Sequence, residues 1–437
     1  MTRELLTRIY DAAVERAHPR SCLPAHLPPP PAQGRLLIFA AGKAAGSMGE
    51  AAEAFYLDRH GFDRIKGIAV ARHGYGRPLR KLEMIEAGHP VPDAEGIAAT
   101  ERTLELAASA TAEDIALVLM SGGASANWIA PATGITLDDK RALTRALLKS
   151  GANIVEMNCV RKHLSRIKGG RLAAALSPAR IITLAISDVP GDDPSVIGSG
   201  PTVADATTLA DAKKILEKYA ITPPPSIARA LNDPANESPK PGDKAFAKAS
   251  LQIAAKPQAS LEAAAAAAEA AGYEPVLLGA DLEGEARDVA AAHADLALEH
   301  KREGRKAAIL SGGELTVTIR GKGRGGPNQE YALALALALN AETGIVALAG
   351  DTDGTDGGAG SAEDPAGAFI DETTLARAKA RGLDPAGILG QNNSTHFFET
   401  LGDLLTPGPT FTNVNDLRTI LVDSSAARQA KDRDPFT

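Results

Sequence analysis

Five times along this chain an apolar run of strand length ends directly in a glycine-rich polar loop: "LLIFAAGKAAGSMG", "DIALVLMSGGASANW", "IITLAISDVPGDDPSVIGSGPT", "AAILSGGELTV" and "TGIVALAGDTDGTDGGAG". Between such runs lie helix-like segments, among them "AEGIAATERTLELAASA", "LDDKRALTRALLKSGA" and "SLEAAAAAAEAAG". Strands alternating with helices predict an α/β protein with mostly parallel sheets and helices on their faces. In open sheets of this kind, ligands collect outside the carboxyl ends of the strands. The five loops are therefore the first place to look for chemistry.

With 437 residues the chain exceeds what one hydrophobic core organises, so two α/β domains are expected. The stretch "ITPPPSIARALNDPANESPKPGDK", Ile221 to Lys244, is rich in Pro, Asn and Ser and lacks a period. It sets the expected domains at 1–240 and 241–437. The first residues, "MTRELLTRIYDAAVERA", read as an amphipathic helix with Leu5, Ile9, Ala12 and Val14 on one side. "YALALALALN" alternates like a strand, but Ala and Leu favour a buried helix. Its apolar run is also too short to cross a bilayer, so no membrane association is expected.

A net charge of −7 and 4% aromatic residues argue against a nucleic-acid partner, which needs phosphate-neutralising cations and stacking surfaces. The two cysteines, Cys22 and Cys159, have neither CxxC spacing nor a disulfide framework, which points to a reducing cytoplasm. A monomer or a homodimer fits equally well.

The loops name the candidate residues. "AAGKAAGSMG" places Lys43 directly after Gly42, too early for a Walker A lysine. Gly42, Gly46 and Gly49 miss the dinucleotide fingerprint, and the next strand, "GIAVARHG", offers no acid. What remains is an anion site before a helix. Ser121, Gly122, Gly123 and Ser125 in one loop, and Ser311, Gly312, Gly313 and Glu314 in another, carry backbone N–H groups suited to a carboxylate or phosphate. Asp188 and Asp193, with Asp351 and Asp353, form two acidic loops of the kind that hold Mg²⁺ together with substrate phosphates. The cations gather in "NCVRKHLSRIKGGRL", with Arg161, Lys162 and His163, and in "TIRGKGRGGPNQE", with Arg324 ahead of Asn328 and Glu330. On that glycine-rich loop Arg324 can present a planar fork to a phosphoryl group.

In their order, "AAGKAAGSMGEA", "MSGGASA", "NCVRKHLSRIKGGRLA", "ISDVPGDDPSVIGSGPT", "LGADLEGEAR", "LSGGELTVTIRGKGRGGPNQE" and "LAGDTDGTDGGAG" resemble the bacterial glycerate 2-kinase family. That family is also labelled hydroxypyruvate reductase, and its C-terminal part is the MOFRL domain. The resemblance runs from about Leu5 to Val422, and one departure is Pro327, where a cation is expected. It implies a Rossmann-like N-terminal α/β domain and a C-terminal MOFRL-type α/β domain around an interdomain cleft. It implies phosphorylation of D-glycerate to 2-phosphoglycerate by ATP with Mg²⁺, with Lys43 and Arg324 as the principal catalytic cations. Asp188 is then the candidate to accept the glycerate hydroxyl proton. An NAD(P)H-dependent hydroxypyruvate reductase is the alternative. It would need a dinucleotide fingerprint, and a proton donor such as His163 or His396.

Overall fold

The computed structural model describes residues 2–358 and 361–424, which form two units. One unit is residues 22–254, and the other combines the N-terminal segment through Ser21 with the chain from Ala255 onward. Both ends of this division differ from the expected 1–240 and 241–437. Residues 425–437, and Ala359 and Gly360 of the second acidic loop, lie outside the described residues.

The first unit is built on six strands, β1 (Leu36–Ala41), β2 (Ile65–Arg72), β3 (Leu82–Ala87), β4 (Ile115–Met120), β5 (Arg180–Ile186) and β6 (Ala249–Ala255), in the order β3-β2-β1-β4-β5-β6. The pairs β1–β2, β2–β3, β1–β4 and β4–β5 are parallel, as the alternation predicts. β1 and β4 are buried along their whole length, which is why their sequences are near-continuous apolar runs and do not alternate. Leu37, Phe39, Val118 and Trp128 anchor one core cluster. Leu143, Leu147, Val160, Leu216, Ile227 and Leu231 anchor another, built from helices.

The segment expected to be a linker belongs to this unit. Its Pro225–Asn232 forms a helix that buries Ile227, Ala230 and Leu231, and β6 follows it into the sheet. Proline at the start of a helix costs nothing there, because its missing N–H has no partner anyway. The prolines that suggested a linker therefore permit the helix.

The second unit carries β7 (Glu274–Leu277), β8 (Lys306–Ser311), β9 (Ile345–Asp351), β10 (Gly367–Ile370), β11 (Leu404–Leu405) and β12 (Asp416–Asp423), in the order β11-β10-β9-β12-β8-β7. Here the parallel expectation is corrected. Only β7–β8 is parallel; β8–β12, β12–β9, β9–β10 and β10–β11 are antiparallel. β8 and β9 still run the same way, as a strand–helix–strand crossover requires. The last strand, β12, inserts between them in the opposite direction.

Alternation along these strands separates the two faces of the sheet. Ile309, Ala347, Ala349, Ile420 and Val422 face one core. Ala308, Leu310, Leu348, Leu417 and Leu421 face the other, together with the N-terminal helix Thr2–Ala17. That helix buries Leu6, Ile9, Tyr10, Ala13 and Ala17, a stripe rotated from the one expected, with Leu5, Ala12 and Val14 only partly covered. The Ala-Leu run is a helix, Pro327–Leu339, as expected. Burial of Leu333, Leu335 and Leu339 stabilises it by about 2 kcal/mol each. Pro327, the departure from the family pattern, is its first residue.

His293 joins this core, with Nδ1 2.8 Å from the Tyr331 hydroxyl. Burial, and then the Arg418 charge, push its pKa down to about 4. A histidine held neutral when folded contributes stability above its unfolded pKa, and loses it as pH falls toward the folded value. Stability measured by urea unfolding should therefore fall by roughly 3 kcal/mol between about pH 7 and pH 4 through this residue, and His293→Gln should flatten that part of the profile.

Candidate active site

In the first unit β1 and β4 are adjacent strands whose following connections leave in opposite directions, the switch point where α/β sheets bind ligands. The loops after them are locked together. Gly42 has φ +114°, and a Cβ there would lie 2.4 Å from Ser121 Oγ. The Lys43 N–H donates to the Gly122 carbonyl at 2.8 Å, and the Ala44 N–H donates to Ser121 Oγ at 2.9 Å. Lys43, half-buried, thus stands at the head of the helix Ala45–Glu53, directly over the β4 loop. The ring of His89, from the loop after β3, packs against Gly123.

The β4 loop continues to Ser125, whose Oγ lies 2.9 Å from Ser199 Oγ of the β5 loop. Lys168 Nζ donates to the Ser125 carbonyl and hydroxyl at 2.6 and 2.8 Å. These groups open onto a cavity of about 550 Å³ whose walls also carry His89, Lys140, Arg141, Arg145 and Arg161. The run around Arg161 divides. Arg161 lines this cavity. Lys162 and His163, expected beside it on a ligand, instead turn into a buried polar cluster. Lys162 pairs with Asp205 at 3.5 Å, and His163 Nε2 lies 3.1 Å from Glu237 Oε1. Ser238 donates to Asp205 at 2.9 Å. Glu237 and Ser238 come from the supposed linker. Consecutive helix residues point about 100° apart, so three neighbouring cations cannot share one face.

The acidic loops follow β5 and β9. Asp188, half-buried, follows β5, and Asp193 accepts from the Ser195 N–H at 2.8 Å. In the second unit Asp351 closes β9 and accepts from the Asp353 N–H at 2.9 Å, while Asp353 accepts from the Thr355 N–H at 2.8 Å. Among the described residues no group of three or more His, Cys, Asp or Glu side chains forms a metal cage. Carboxylates nevertheless suit Mg²⁺, which takes one or two of them and completes its shell from water and phosphate.

Asp356, a third carboxylate of the second acidic loop, takes a role the sequence did not show. Its carboxylate accepts from the backbone N–H groups of Asn328 and Gln329 at 3.0 and 2.9 Å, capping the helix Pro327–Leu339 from another loop. Asn328 Nδ2 also bridges Asp356 to Asp416, at 3.2 and 2.7 Å. Asp416 pairs with buried Arg418 at 3.0 Å. Arg418 in turn donates to Ser311 Oγ at 3.0 Å and to the carbonyls of Gly312 and Gly313. The Ser311–Gly313 loop is thereby braced through its acceptors, while Glu314 beside it is exposed. Glu330, expected to bind ligand, is buried against Arg287 and accepts from Asn392 at 3.1 Å.

Arg324 is exposed and pairs with Glu399 at 3.3 Å, an interaction open to solvent and therefore weak. Its loop is stitched to residues 391–395: Arg320 and Gly321 N–H groups donate to Asn392 Oδ1 at 2.7 and 2.9 Å, and the Arg324 N–H donates to Asn393 Oδ1 at 3.1 Å. A Cβ on Gly321 would lie 2.4 Å from the Gln391 carbonyl oxygen. That glycine admits a neighbouring backbone.

Burial pushes the Asp356 pKa up to about 7, opposed by the N–H donors of Asn328 and Gln329. Removing the cap with Asp356→Ala should cost on the order of 2 kcal/mol in urea unfolding, with Asp356→Asn costing less because its oxygen still accepts.

Comparison with known proteins identifies the family. The family model described as a domain of unknown function, DUF4147, matches residues 5–232, and the MOFRL family model matches residues 307–416. A putative hydroxypyruvate reductase of Agrobacterium vitis is 47% identical, over 96% of this chain and 94% of its own. Glycerate 2-kinase of Pyrococcus horikoshii is 40% identical over 91% of this chain and 89% of its own. The crystal structure of glycerate kinase from Thermotoga maritima superposes with a TM-score of 0.84 at 37% identity, covering 96% of this chain and 99% of that one. The two family models in series, and kinases matched along most of their length, show that the chain belongs to the glycerate kinase family of DUF4147–MOFRL proteins.

Proposed function

We propose that this protein phosphorylates D-glycerate at its 2-hydroxyl, using ATP and Mg²⁺ and yielding 2-phosphoglycerate and ADP. The observation that carries this reading is Lys43, held over the β4 loop where the β1 and β4 connections diverge. Phosphoryl transfer asks a protein mainly for positioning and for charge against the transferring oxygens. Lys43 and Arg324 are the cations assigned to that charge. Asp188, with Asp193, Asp351 and Asp353, is assigned to Mg²⁺ or its waters; when bound, the ion neutralises phosphate charge. The glycerate oxygen bonds to the γ-phosphorus as the bond to the β-phosphate oxygen breaks, and Asp188 takes the hydroxyl proton.

No helix of the described residues is long and apolar enough to cross a membrane. The reductase reading draws on the strand order of the first sheet and on the names of some relatives. Against it, β2 ends on Arg72, followed by His73, and Arg72 stacks over Tyr75 where a dinucleotide site would place an acid for the ribose.

ADP release should depend on D-glycerate, and phosphorus NMR of the product should identify 2-phosphoglycerate. Lys43→Ala and Arg324→Ala should each lower kcat by about 100-fold or more while thermal unfolding stays near that of the parent. Oxidation of NADH or NADPH by hydroxypyruvate, without ADP release from glycerate, would replace this reading with the reductase.

A further inference from the structure

The cavity beside Lys43 has an unusual charge composition. Lys140 and Lys168 are 8% and 2% exposed, and Arg161 is half-buried. Their partners are neutral: Lys140 Nζ donates to the Leu164 carbonyl at 3.1 Å, and Lys168 Nζ donates to Ser125. The remaining charged or titratable groups on the walls are His89 from the β3 loop and Arg141 and Arg145 from the helix Leu137–Lys149. Among the described residues, no carboxylate lines the cavity. Arg141 pairs with Asp138, an exposed residue, at 3.4 Å.

Burying cations without a counter-charge costs several kcal/mol per ion, and proteins ordinarily avoid it by pairing. The rim supplies apolar surface instead, from Val91, Pro92, Ile129 and Leu148.

We propose that this cavity is a preformed oxyanion pocket in which Lys140, Lys168 and Arg161 bind a dianionic phosphate or carboxylate ligand, and that the ligand enters together with protons. The proton linkage follows from the same geometry. Burial, and then repulsion from Arg161, lower Lys140 to about 7. Lys168 is also lowered, by burial and then by Lys140 and Arg161. With the cavity empty near neutral pH, the pair therefore holds fewer than two protons. An anion restores the charged forms, because an opposite charge within a few ångströms favours them. Affinity is highest below the pKa of the empty site and falls as pH rises through it.

Sulfate is the probe, because it stays dianionic across the whole range. Calorimetry in buffers of different ionisation heat should show uptake of about one proton per sulfate near pH 8, with affinity falling toward tenfold per pH unit above that. The choice of ligands rests on the kinase reading, but this binding measurement needs no turnover, so its failure is distinguishable from a failure of that reading. Absence of saturable sulfate binding at neutral pH, or equal affinity at about pH 7 and pH 9 without proton uptake, would overturn the proposal. Lys140→Arg keeps the cation permanently charged, so it should retain sulfate binding and lose much of the pH dependence; an unchanged pH profile would remove Lys140 from the linkage. Competition separates the possible sources. Displacement by D-glycerate places the substrate carboxylate there, and displacement by ADP alone places nucleotide phosphates. Sulfate that neither displaces would show that the pocket does not serve these ligands, and would overturn the assignment.

Discussion

The backbone at Gly42 passes so close to the β4 loop that any side chain there would strike Ser121. This contact ties the ends of two neighbouring parallel strands into one surface. Without it the Lys43 N–H could not reach the Gly122 carbonyl, nor could Ser121 accept from Ala44. The lock also passes outward along the β4 loop. Ser125 meets Ser199 of the β5 loop and anchors Lys168, so the electropositive wall of the cavity depends on where the β4 loop is held.

The second unit solves the same problem with charge. Its strand-end loops after β8 and β9 have β12 between them, so their backbones do not pair directly. A buried network bridges the gap instead. Arg418 and Asp416 on β12 reach the Ser311–Gly313 loop on one side and, through Asn328, Asp356 on the other. Such a network is costly unless every member is satisfied. Here all three guanidinium nitrogens of Arg418 donate and each carboxylate oxygen of Asp356 accepts twice, while Asn328 Oδ1 is left without a hydrogen bond. The helix Pro327–Leu339 begins where that network ends, so its N-terminus is held in place by a residue far from it in sequence.

Much of this was legible in the residues. The apolar runs, the glycine loops after them and the buried Ala-Leu helix all follow from local propensity and period. The place of Lys43 was legible because it stands in the glycine turn between a strand and a helix. Lys140 was not, because it sits in the ordinary amphipathic helix "LDDKRALTRALLK" and its burial depends on what packs against it. Lys162 and His163 looked like partners of Arg161 because sequence shows adjacency and hides rotation about a helix. The segment 221–244 looked like a linker because its partners, His163 and Asp205, are distant along the chain.

The sequence by itself determined the strands, the loops that end them and the chemical types available there. Hydrophobic burial and backbone geometry act over a few residues, and those rules leave a readable periodicity. Tertiary structure alone decided which charges meet. It turned Arg161 toward a cavity and its neighbours toward Asp205 and Glu237, inserted β12 between β8 and β9, and made Asp356 a helix cap. These outcomes depend on desolvation and on distances between side chains far apart in the chain, and no local pattern records either.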